Sequence, residues 1–138
     1  MDAIPVSVIM TTAIEGEDTV TARYDGLLRY TPQGIRLSYT ESEEGVRTST
    51  LLSISHGEIG LTRRGGVDFS TIYRAGYTHH SLYTSGALRL DAAVTTEHLS
   101  LITGLALPAF SCSYTLTLGG VDRRFILTMR LERREVSL

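Results

Sequence analysis

Between Phe110 and Leu131 apolar and polar residues alternate almost without interruption, and this pattern constrains the fold more than any other feature of the chain. Phe110, Cys112, Tyr114, Leu116 and Leu118 share one parity, and Ser111, Ser113, Thr115 and Thr117 share the other. After Gly119-Gly120, Val121, Phe125, Leu127, Met129 and Leu131 oppose Asp122, Arg124, Thr128, Arg130 and Glu132. Neighbouring side chains of a strand point to opposite faces, so each segment reads as a strand with one oily side. Paired glycines permit the primed turns that close a tight hairpin. Folding the two segments together puts both apolar rows on one face.

The same period recurs along the rest of the chain. Ile4, Val6, Val8 and Met10 alternate with more polar neighbours up to Ile14, and Glu15-Gly16-Glu17-Asp18 reads as a turn. Val20, Ala22, Tyr24, Gly26, Leu28 and Tyr30 then form an apolar row, which ends at the turn Thr31-Pro32-Gln33-Gly34. Pro there presets one torsion and Gly supplies a positive φ. Ile35, Leu37 and Tyr39 follow, and Glu41 to Gly45 reads as an acidic loop. Further strands are expected over Val46–His56, Ile59–Arg63, Val67–Arg74, Tyr77–Thr84 and Leu88–Thr95. Glu97 to Thr103 is the one stretch that reads as a helical turn, and Pro108 marks a bulge or strand start because it cannot donate to a ladder.

About ten short strands, each with the same oily face, must roll up or split into two layers to bury it. Hairpin after hairpin favours a closed or nearly closed antiparallel up-and-down β-barrel of about eight to ten strands, which also removes exposed edges. The 138 residues suit a single barrel domain over 1–138, large enough for a core without staples.

The composition narrows the function classes. The net charge is −2, so there is no bulk attraction to nucleic acid or to an anionic membrane, and neither partner is expected. All thirteen basic residues are arginine. Cys112 is the single cysteine, so no internal disulfide and no cysteine zinc site can form. That usage, with no basic and apolar leader, points to a reducing, cytoplasmic setting. No window approaches the roughly 20 apolar residues of a membrane helix.

Two strings along the chain resemble the YwiB-like family of bacterial proteins. One is a Leu-Ser-Tyr-x-Glu pattern, here Leu37, Ser38, Tyr39 and Glu41; the other runs Tyr83, Gly86, Leu88, Leu90 and Thr95. The likeness spans about Pro5 to Glu132. Ser85-Gly86 stands where the family usually has Tyr-Gly, and a neighbouring Pro is absent. The resemblance implies a calycin-like, lipocalin-like β-barrel and brings no catalytic residues with it.

Candidate chemistry is sparse. His79 and His80 point to opposite faces of a strand and cannot chelate one metal, and no metal site or cofactor is expected. Glu41, Glu43 and Glu44 could hold a hard cation such as calcium, although a solvated loop is the simpler reading. Cys112 should be buried and inert, and no nucleophile-elbow serine exists. Arg63-Arg64, Arg123-Arg124 and Arg133-Arg134 could make a small anion site near the barrel rims. The inner row is more suggestive, because buried tyrosine hydroxyls need partners. With threonines and His79 among them, the tyrosines form either a self-satisfied polar network or a wet pocket. The expected ligand-binding set is Tyr24, Tyr39, Phe69, Tyr73, His79, Tyr83, Tyr114 and Arg63, taking a small, partly apolar ligand without catalysis. Alternatives are a homodimer or interaction module through Ile9, Leu27, Leu51, Ile72, Leu82 and Ile126 on the outer face, or an enzyme centred on His79 with Tyr77 or Tyr83.

Overall fold

The computed structural model describes residues 3–104 and 107–135. Ten antiparallel strands form one sheet: β1 (Ile4–Ile14), β2 (Val20–Thr31), β3 (Gly34–Glu43), β4 (Val46–Ser55), β5 (Glu58–Gly65), β6 (Phe69–Tyr73), β7 (Thr78–Ser85), β8 (Leu88–Ile102), β9 (Ala109–Leu118) and β10 (Val121–Arg133). Strand neighbours in the sheet run β6-β5-β4-β3-β2-β1-β10-β9-β8-β7, so the first strand pairs with the last and the meander curls on itself. β6 and β7 form the seam. They meet at a bridge where the Asp68 and Thr84 N–H groups donate to each other's carbonyls at 2.8 and 3.0 Å. The Ser85 hydroxyl adds a bond to the Gly66 carbonyl at 3.2 Å. The result is a nearly closed up-and-down barrel, and among the described residues no helix is long and apolar enough to cross a membrane.

Register assigns the inner face in rows. Ile4, Leu28, Leu37, Leu52, Leu61 and Thr71 are successive cross-strand partners. The adjacent row is Val6, Gly26, Tyr39, Thr50, Arg63 and Phe69. Leu28, Leu37 and Leu52 are buried to within 1% of complete, and burial of each leucine stabilises by roughly 1.5–3 kcal/mol. Gly26 sits on this inner face because space is short there: a Cβ would lie 2.8 Å from Val8 Cγ2.

Two local expectations are corrected. No helical turn forms at Glu97 to Thr103: β8 continues to Ile102 through a bulge between Thr96 and His98. The extra residue, Glu97, resets the parity, so that Leu99 and Leu101 pack against the core again after buried Thr96. The acidic loop is also shorter than read. Glu44 and Gly45, with φ of 51° and 80°, form the two-residue turn alone, and β3 extends through Glu43. Pro108 does precede a strand, immediately before β9. Four of the six paired arginines meet acids: Arg63 pairs with Glu41, Arg123 with Glu17, Arg124 with Glu97 and Arg134 with Asp25. Mixed signs on one sheet face make such pairs the nearest available partners.

Candidate functional site

A cavity of about 230 Å³ crosses the barrel interior. Barrel strands tilt, so a slice across the lumen collects residues from different rows. Met10 and Thr12 come from β1, Val20, Ala22 and Tyr24 from β2, Tyr39 and Glu41 from β3, and Leu52 from β4. Leu61 and Arg63 come from β5, Tyr73 from β6, Tyr114 from β9 and Leu127 from β10. A recess of about 780 Å³ at the rim shares Tyr24, Glu41 and Arg63 with it and is walled by Glu43, Glu44, Gly65, Gly66, Ser85 and Gly86. The three shared residues therefore form a collar between lumen and mouth. Gly65 is required at that rim: at φ 129° a Cβ would strike the Arg47 carbonyl.

Glu41 organises the collar. Its carboxylate accepts from Tyr24 Oη at 3.3 Å, Thr50 Oγ1 at 3.0 Å and Arg63 Nη2 at 2.9 Å. The two charged side chains are about a quarter exposed, 27% for Arg63 and 25% for Glu41. Charge-assisted bonds in this half-dry setting are stronger than their surface counterparts. Arg63 Nε, by contrast, is buried without a partner. Behind the collar the rings pack in pairs: Tyr24 stacks on Tyr39 with centroids 5.0 Å apart, Tyr73 meets Tyr114 at 4.9 Å, and Tyr114 stacks on Phe125 at 5.1 Å. Tyr73 and Tyr114 also share a hydrogen bond.

Burial raises the proton affinity of each of these phenols. Tyr114 is pushed up to about 12 by desolvation. Tyr39 goes higher, through desolvation and then the Glu41 charge, and Tyr24 is raised by the same two causes. Fully buried Tyr73 is raised by desolvation and then by Tyr114. All four stay neutral near pH 7 and act as hydrogen-bonding groups rather than phenolate bases. Burial also pushes the Cys112 thiol up to about 12, which leaves it a poor nucleophile.

Of the eight residues expected from sequence, the structure brings Tyr24, Tyr39, Arg63, Tyr73 and Tyr114 around the cavity. Phe69 and Tyr83 pack on each other at 5.9 Å, with Phe69 in the core, and neither lines it. His79 is half-buried beside Tyr77 at 6.1 Å, where the Arg74 guanidinium lies 4.3 Å over the Tyr77 ring, and it is also absent from the cavity wall. Sequence reasoning missed Glu41. Its parity with Leu37 and Tyr39 marks it as inward, but the acids and the glycine that follow it in sequence imitate a loop. Its carboxylate bonds Arg63, and among the described residues no group of three or more His, Cys, Asp or Glu could hold a metal ion.

A family model described as "Domain of unknown function (DUF1934)" matches residues 6–127. Among solved structures, the chain is similar to the ywiB protein from Bacillus subtilis, with a TM-score of 0.80 at 18% identity. That match covers 93% of this chain and 92% of that one, and at such identity it shows the fold alone. No curated protein matches the chain.

Proposed function

The chain belongs to this family of unknown function, and on that premise, which brings no activity with it, we propose a non-enzymatic binding module that takes a small, partly apolar ligand into the barrel lumen. The observation that carries the reading is the tyrosine-lined cavity closed by the Glu41–Arg63 collar. Apolar walls with a few convergent polar groups are the usual make-up of a small-molecule site. A cavity of 150 Å³ can hold benzene, so 230 Å³ suits a ligand of about ten non-hydrogen atoms. The absence of catalysis is supported by neutral phenols, an inert thiol and a His79 outside the cavity. The free Cys112 fits a reducing, cytoplasmic setting.

Native mass spectrometry of freshly purified protein tests the reading. A retained small molecule is expected, and Ala22→Leu, which fills the lumen, should release it while the barrel stays folded. A bare mass for both proteins, at a concentration where added apolar probes also fail to bind, would contradict it.

A second reading is a homodimer through the outer face. Leu27 and Leu51 line an outer groove together with Asp25, Arg64 and Arg134, and Leu27 is 38% exposed. Ile9, on the same parity, is buried instead, flanked by Arg23 and Arg130. A Leu51→Glu change that turns a dimer into a monomer by sedimentation would favour this reading; a monomer before the change would remove it.

A further inference from the structure

We propose that the luminal ligand is an uncharged molecule presenting a carbonyl- or amide-type acceptor to Arg63 and Tyr114, an inference that rests on the luminal binding proposed above. Three observations select this chemistry. The first is charge. Glu41 and Arg63 are the two charged residues of the cavity wall, and they neutralise each other at 2.9 Å. A charged ligand would enter with no free counter-charge to meet it, and desolvation opposes that.

The second is the sign of the unmet hydrogen-bonding capacity. Glu41 already accepts from Tyr24, Thr50 and Arg63, so its acceptor capacity is largely committed. Arg63, in contrast, carries five N–H donors, bonds Glu41 through Nη2 and lines the cavity, so its guanidinium keeps donors to offer there. The Tyr73–Tyr114 bond consumes one of two phenolic protons and leaves the other to donate. Tyr114 and Arg63 line the same cavity, so the two donors belong to one neighbourhood. Buried donors left unmade are costly, which makes an acceptor the complementary group. The third is the remaining wall. Leu52, Leu61 and Leu127 offer only apolar contact, so the body of the ligand is apolar.

Four probes of one shape separate the possibilities: benzamide, benzoate, benzamidine and toluene. Each is titrated into the protein while the leucine methyl resonances of Leu61 and Leu127 are followed by NMR. Benzamide should shift those methyls and bind about tenfold more tightly than any of the others, because two donors meet its carbonyl. The double change Glu41→Gln with Arg63→Met, which leaves no orphaned charge, should reduce benzamide to the level of toluene. Tighter binding of benzoate or of benzamidine would overturn the inference by assigning an anionic or cationic ligand. Equal binding of toluene and benzamide would overturn it while leaving the cavity as a binding site. If neither toluene nor benzamide reaches the methyls, the luminal reading fails and this inference falls with it.

Discussion

Two neighbouring rows on the inner face of the barrel obey the same parity rule and do different work. The row through Ile4, Leu28, Leu37, Leu52 and Leu61 is held by shape and by exclusion from water. The row through Gly26, Tyr39, Thr50 and Arg63, two residues away on each strand, is held by mutual satisfaction of polar groups around Glu41. The first row has no chemistry to offer. The second keeps guanidinium donors beyond the Nη2 bond to Glu41, on a residue that lines an open space. Facing inward is therefore a statement about geometry, and the residue types decide whether the inside becomes core or site.

Substitutions should separate the two rows by size of effect. Leu37→Ala opens a void in the apolar row and should cost about 3 kcal/mol, measured by urea unfolding. Glu41→Ala strands the half-buried Arg63 and should cost about 2 kcal/mol, and coupling with Arg63→Met should recover much of it in a double-mutant cycle. Equal costs for Glu41→Ala alone and with Arg63→Met would show that the collar is not a coupled pair.

Alkaline pH should strain the polar row selectively. Folding raises the phenol pKa values above the ordinary 10.0, so the unfolded chain loses those protons first. Stability should be level through neutrality and fall as pH climbs from about 10, over a window reaching about 12 for Tyr114. Tyr114→Phe should shallow that decline, as read from unfolding midpoints across the alkaline range. An unchanged slope would mean that Tyr114 is not desolvated as described.

Smaller still, Thr71→Val replaces a buried hydroxyl that has no partner and should be neutral or stabilise by about 0.5–1 kcal/mol. On the outer surface, the hydrogen bonds from Arg130 and then Arg23 hold the Glu132 carboxyl below its ordinary pKa, so its small contribution is present above that value and fades on acidification. Glu132→Gln should leave the thermal midpoint at pH 7 unmoved within error.

Most of the barrel was legible because period two is a strong signal wherever hairpin turns announce themselves. Gly119-Gly120 and the strands beside it match the observed register from Val121 opposite Leu118 onward. The resemblance carried by Leu37–Glu41 and Tyr83–Thr95 is matched by the family model and the fold. What was lost depended on one-residue shifts. At Glu97 a bulge flips the parity, and a single sequence read in strict alternation sees that flip as an end to the strand. At Glu41 a run of acids beside a glycine imitated a loop, although the type of turn needed only Glu44 and Gly45. The collar was invisible for a further reason. Arg63 and Glu41 are 22 residues apart and meet only because β3, β4 and β5 are laid side by side. Likewise, sequence grouped all inner tyrosines together, whereas strand tilt sends Tyr83 away from the slice that holds Tyr39 and Tyr114.

The most direct test of the account is a high-resolution crystal structure of freshly purified protein. The account predicts non-protein density, as ordered water or a carried molecule, in the space bounded by Tyr39, Leu61, Arg63 and Tyr114. Side chains of Tyr24, Tyr39 and Arg63 collapsed onto Tyr114, with no space left between them, would contradict it.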